Sequence, residues 1–290
     1  MQRAGGAAGA AAPGALRRGY VDVPWGQLHY ARCGVAGRPP VVLVHQTPRS
    51  WDEFRDVLAL LGASFDVVAP DTAGFGASDL ADGDADSIER YADGLELLVD
   101  RLQLGRLALV GHHTGALVAL ELAARRPEHV WALVLSSAPL KTPGERSAAL
   151  AAPGIDEVTA RPDGGHLTEL WRRRLSFYPP GRPDLLHRFV TDALRVGARL
   201  EEGHRAVNRY DVQSRIGRVV APTLVVAATD DPFAYPMVGR WREALPGSTV
   251  VEVVGGTVPL PDQVPDVFAA RVGEFLTSVA AGCPARSTGS

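Results

Sequence analysis

Cysteine is nearly missing from this 290-residue chain: Cys33 and Cys283 are its only two. Thiols so few and so far apart make neither a disulfide framework nor a metal-ligand spacing. No other His, Cys, Asp or Glu grouping has metal spacing, and the adjacent pair His112-His113 sends its side chains in different directions. No G-x-G-x-x-G opens a strand–helix unit, so no nucleotide cofactor is indicated. The chain is read as cofactor-free. No apolar run nears the roughly 20 residues that span a bilayer, so no transmembrane helix is expected. Lysine is scarcer still, with Lys141 the only one. Basic residues number 30 against 33 acidic, a net charge of −3, which gives no footprint for nucleic acid or an anionic membrane. The partner left to expect is a small-molecule substrate, in the cytoplasm; the oligomeric state is not legible.

What is present is a globular composition, 46% hydrophobic, at a length that suits one large α/β domain with an insert. Residues 1–17, rich in Ala and Gly, read as a disordered tail, as do 283–290. Between them, short continuous apolar runs (PPVVLVH, FDVVAP, LALVG, WALVLSSAP, PTLVVAAT) alternate with amphipathic stretches. Such runs are what strands buried on both faces require, and the alternation predicts a mostly parallel sheet with helices on both sides. RGYVDVP and QLHYARC predict a hairpin across WG. Ser50 is a candidate N-cap for the helix beginning near Trp51, and Asp86 or Ser87 for the next. The rhythm breaks from 140 to 215, where Pro, Gly and Arg accumulate around helical patches. This predicts a core of 18–139 and 216–282 with a helical cap of 140–215 over the carboxyl ends of the strands, where open α/β sheets bind ligands.

The stretch 107-LALVGHHTGALVALEL-122 reads as strand, glycine turn and helix. With VVLVHQTPRSWDEF, FDVVAPDTAGFGASD, PTLVVAATDDPFAYP and VVEVVGGTVPLPDQ, in that order, it makes residues 18 to 280 resemble an α/β-hydrolase-fold protein with a helical cap. The resemblance implies a nucleophile at the G-x-S-x-G turn, an acid after a late strand, a histidine after the last strand, and a backbone oxyanion hole.

The departures bear on function. His113 stands where the nucleophile belongs, and Thr257 where the histidine belongs. The family's H-G-x-P loop reads His45-Gln46. Asp231, in preference to Asp230, matches the acid. The degenerate triad leads to the expectation that the imidazole has changed loops: His113 pairs with Asp231, beside an oxyanion hole made by the N–H groups of Gln46 and Thr114. Such a site would suit proton transfer alpha to a carbonyl, of the epimerase, isomerase, cyclase or lyase type. The alternatives are a hydrolase using water activated by His113 and Asp231, and a ligand-binding protein without turnover. His45 is expected to hold the oxyanion loop by hydrogen bonds, His112 to pack, Asp71 and Gly74 to form a turn, and Arg172, Arg173 and Arg174 to form a solvated face.

Overall fold

A computed structural model describes residues 14–35, 37–81 and 86–281. Most of the expected N-terminal tail, the C-terminal tail and Cys283 lie outside these. Eight strands form one sheet: β1 Arg17–Val23, β2 Gly26–Gly34, β3 Pro40–Val44, β4 Asp66–Pro70, β5 Leu107–His112, β6 Val130–Ser136, β7 Thr223–Ala228 and β8 Thr249–Val253. Their spatial order is β1-β2-β4-β3-β5-β6-β7-β8. β1 and β2 pair antiparallel as the expected hairpin, and β2 runs antiparallel to β4; every other pairing is parallel.

The apolar runs occupy the centre because helices cover both faces there, and every residue of β4, β5, β6 and β7 is buried. The helices Ile88–Arg101 and Thr114–Arg125 pack on one face, contributing Leu95, Leu98, Leu117 and Leu120. Arg55–Gly62 and Pro265–Ala281 cover the other with Val57, Leu58, Phe268 and Val272. Ser50 caps as expected, though the first turn, Trp51–Phe54, is a 3₁₀ helix. Ser87, not Asp86, caps the helix Ile88–Arg101, accepting from Arg90 N–H. Asp71 is a turn organiser: its carboxylate accepts from Trp51 N–H at 2.7 Å and Ala77 N–H at 2.9 Å and meets His29 Nδ1 at 2.8 Å.

Between β6 and β7 lie the helices Pro143–Ala151, Gly165–Leu175, Pro183–Val196, Glu202–Arg209 and Gln213–Ile216. Leu170, Tyr178, Leu185, Leu186 and Phe189 give this insert a small core of its own. Among the described residues, no helix is long and apolar enough to cross a membrane.

Candidate active site

Four segments that follow parallel strands converge: His45 after β3, His113 after β5, Asp231 after β7 and Val258 after β8. The bend at His113 is tight because strand and helix nearly touch. A Cβ on Gly111 would lie 2.2 Å from Gly115 O, and one on Gly115 2.0 Å from Val44 O. Only glycine fits at either position. His113 sits between them at φ 47°, ψ −114°. A non-glycine residue in such a region stores roughly 1–3 kcal/mol, which the packing of the turn must sustain.

His113 Nε2 lies 2.7 Å from Asp231 Oδ2, with the imidazole 13% exposed and the carboxylate fully buried. The approach is off the ring N–H axis, so the contact is a close pair without an aligned hydrogen bond. Asp231 is held from its other side: Oδ1 accepts from Phe233 N–H at 2.9 Å and Ala234 N–H at 3.2 Å. Burial alone would push this carboxyl up. The His113 ring and the Phe233 amide outweigh burial and hold it below the usual carboxylate range. Asp230 is exposed and has no part in this.

His112 is a contrast one residue away. It is fully buried, with Nδ1 2.9 Å from Ser136 Oγ and Nε2 2.8 Å from the carbonyl of Val258. A carbonyl only accepts, so Nε2 carries the proton and Nδ1 accepts from Ser136. Burial, then the neighbouring His113 ring, push its pKa down to about 3, so it packs as a neutral group. Thr257 is turned away from this chemistry. Its N–H and hydroxyl both donate to Gln263 Oε1, each at 2.7 Å.

The oxyanion pair needs correction. Gln46 N–H does not face the pocket as a free donor, because it donates to Glu53 Oε2 at 2.8 Å. The Gln46 side-chain amide donates to Oε1 of the same carboxylate at 2.5 Å. Thr114 keeps the expected place as the first residue of its helix, where amides lack intrahelical acceptors. Its hydroxyl lies 3.0 Å from that of Thr47, so two hydroxyls join the helix N-terminus there. His45 holds the loop: Nδ1 is 2.8 Å from Gln46 O, and Nε2 accepts from Thr72 N–H at 3.0 Å.

Gln46, Thr47, His113 and Thr114 line a partly open pocket of about 520 Å³, solvent space included. Its far wall comes from the insert and the loop before it: Lys141, Ile155, Arg174, His204 and Val207. Arg174 is therefore not on a solvated face. It is 3% exposed and clamps Asp156, with Nε to Oδ1 at 2.6 Å. Asp156, Glu201 and His204 bring their ligand atoms within 4.8 Å of one another, a grouping invisible in the sequence spacing. Arg174 already supplies the positive charge these groups call for, and Glu201 accepts the Asp156 N–H.

This architecture, with a pocket over a strand–turn–helix bend, is that of a known class. The chain belongs to the alpha/beta hydrolase fold family, whose model matches residues 39–257. It is 31% identical over 262 residues to RutD of Pseudomonas savastanoi pv. phaseolicola, assigned as a carbamate hydrolase, covering 80% of this chain and 93% of that one. It is 28% identical over 244 residues to a haloalkane dehalogenase of Mycobacterium marinum, covering 77% and 73%. The match to an uncharacterized hydrolase of Saccharomyces cerevisiae, 30% identical, spans only 37% of either chain. Among solved structures, the enol-lactonase of Burkholderia xenovorans LB400 superposes with a TM-score of 0.73 at 23% identity, covering 89% of this chain and all of that one. That likeness is one of fold.

Proposed function

We propose that this protein is an enzyme that moves a proton at a small carbonyl-containing substrate, with His113 as the base and Asp231 as its positioning partner. The observation that carries the reading is the 2.7 Å contact between His113 Nε2 and Asp231 at the rim of the pocket. A carboxylate against Nε2 selects the Nε2–H tautomer, which leaves Nδ1 with its lone pair. No hydrogen bond among the described residues engages Nδ1. In the proposed step, Nδ1 takes a hydrogen alpha to the carbonyl as its proton. The C–H electron pair moves into the enolate, and the developing oxygen charge faces Thr114 N–H and the hydroxyls of Thr47 and Thr114. Epimerisation is completed when the enolate turns over in the pocket and takes the proton back from Nδ1 on its other face; elimination is completed when a beta substituent leaves with the electron pair of its bond to carbon. The tip of the elbow, position 113, carries an imidazole in place of a hydroxyl, thiol or carboxylate, so an acyl-enzyme of the serine type is not part of this scheme.

A second reading has support from the relatives, which carry hydrolase and dehalogenase names. In it His113 deprotonates a water that attacks the substrate. One experiment separates the two. Small ketones, keto acids and lactones are incubated with the protein in D₂O and, in parallel, in H₂¹⁸O. Proton transfer puts deuterium at the alpha carbon, and His113→Ala slows this by roughly 10²–10⁴-fold. Ring-opened lactone carrying ¹⁸O in its new carboxylate, with no alpha exchange, would establish hydrolysis instead. Exchange that survives His113→Ala unchanged would remove this residue from the mechanism.

A further inference from the structure

The pocket wall supplied by the insert and the loop before it holds one cation that makes no ion pair among the described residues. Lys141, the only lysine of the chain, follows β6 and lines the same pocket as His113 and Thr114. It is partly buried, and its ammonium donates to Asn208 Oδ1 at 2.6 Å. Among the described residues, no carboxylate lies within 4.0 Å of it. The acid whose field reaches it, Glu145, is already held by both terminal nitrogens of Arg240, at 2.6 and 2.7 Å. Burial pulls the Lys141 pKa down, the expected response of an ammonium that has lost water without gaining a counter-ion. Arg174, on the same wall, differs in having its charge neutralised by Asp156.

We propose that Lys141 is the anion-recognition residue of this pocket, and that the ligand is a monocarboxylate whose carboxylate pairs with Lys141 while its other end reaches His113. The substrate class, a small carbonyl compound bearing a carboxylate, rests on the reading of His113 as the catalytic base; the binding role of Lys141 does not. An ammonium offers three donors, of which Asn208 takes one. The helix Glu202–Arg209 supplies Asn208, which holds the ammonium, while the Lys141 backbone carbonyl accepts from Gln213 at 2.7 Å and fixes the main chain that carries it. One unmatched positive charge suits a monoanion better than a dianionic phosphate. Ile155, Val207, Phe233 and Val258 supply apolar wall for the carbon skeleton between the two ends.

The test is equilibrium binding, by calorimetry, of the full chain to 4-oxopentanoate, 5-oxohexanoate and 6-oxoheptanoate, to their methyl esters, and to inorganic phosphate. At least one free acid binds wild type roughly 10–100-fold more tightly than its ester, the range expected for a charge-assisted hydrogen bond. Lys141→Met erases that preference, and Lys141→Arg restores part of it. Lys141→Gln replaces the Met variant if the latter melts below the assay temperature. Acid-over-ester binding is read on the Lys141 variants and alpha exchange on His113→Ala, so failure of the anion assignment and failure of the base assignment are distinguished. Equal binding of acid and ester, no binding of any probe at millimolar concentration, or a preference that survives in Lys141→Met and Lys141→Gln would overturn the assignment. Tighter binding of phosphate than of every carboxylate would overturn the choice of anion.

Discussion

Two buried charge clusters sit close together in this molecule, and they are built for opposite ends. At the elbow, one imidazole meets one carboxylate, and the ring lines an open pocket. Behind the oxyanion loop, Arg49 is completely buried; it meets Asp192 at 2.9 Å and Asp262 at 2.5 Å, with Asp52 and Glu53 at 3.7 and 3.9 Å. Arg188 joins it, reaching Asp52 at 2.7 Å and Asp262 at 2.9 Å. Arg188 and Asp192 belong to the insert helix Pro183–Val196, so this second cluster clasps the insert to the core. It also holds the oxyanion loop, because its Glu53 is the acceptor for Gln46 N–H. Buried charge by itself therefore marks no site here. The elbow differs in leaving one ring nitrogen uncommitted toward space that a ligand can fill.

The sharpest break of this comparison is Arg49→Met. Removing one partner from a buried ionic cluster leaves the others uncompensated, typically at about 3–5 kcal/mol. Urea unfolding of the variant should show a loss of that order. A midpoint equal to wild type would mean that the clasp contributes nothing. Next comes Asp231→Asn. The Asn oxygen can still accept from Phe233 and Ala234 N–H, so the turn survives, while the charge against His113 Nε2 is gone. Any His113-dependent reaction should fall by roughly 10²-fold, at the low end of what general-base catalysis supplies. A stability loss as large as that of Arg49→Met would place both clusters in the same structural class and undo the distinction.

The sequence separates these clusters only in part. The elbow was legible because its parts are local: Gly111, His113 and Gly115 lie within five residues, and the sterics of the bend dictate their types. The strands were legible for the same reason, a buried strand being a continuous apolar run. The partner of Gln46 was not, because Glu53 looks like an ordinary polar position on a short amphipathic helix. It is 1% exposed all the same, with its carboxylate committed to the backbone and side-chain amides of Gln46. The clasp draws on positions 49, 52, 53, 188, 192 and 262, whose meeting depends on how the insert folds back. Arg174 was hidden likewise: three successive arginines point in three directions around a helix, and only the third turns inward onto Asp156. Neighbouring histidines divide in the same way. Only tertiary contacts show that His112 has both nitrogens occupied while His113 does not.

The smallest expected effect tests the clasp's own charge balance. Three guanidiniums, Arg49, Arg188 and the more exposed Arg55 on Asp52, face four carboxylates there, an excess of one negative charge in a largely buried site. Burial pushes the Glu53 carboxyl up, and it pushes Asp262 up to about 7, with Glu53 adding to the shift and Arg49 and Arg188 opposing it. The 2.5 Å contact with Arg49 argues for an ionised Asp262. The crowd of carboxylates argues that the pair takes up a proton near neutrality, and that excess decides the direction. A carboxyl whose folded pKa exceeds its unfolded one binds more protons when folded. Its contribution is then full below the ordinary carboxylate range and is lost as pH rises through about 7. Between pH 8 and pH 6, the stability of wild type relative to Asp262→Asn should therefore rise by about 1 kcal/mol. The difference between the two proteins cancels titrating groups remote from the cluster and reports Asp262 together with its coupling to Glu53. A difference that is flat across this interval would mean that Asp262 stays ionised and that the three guanidiniums alone balance the cluster.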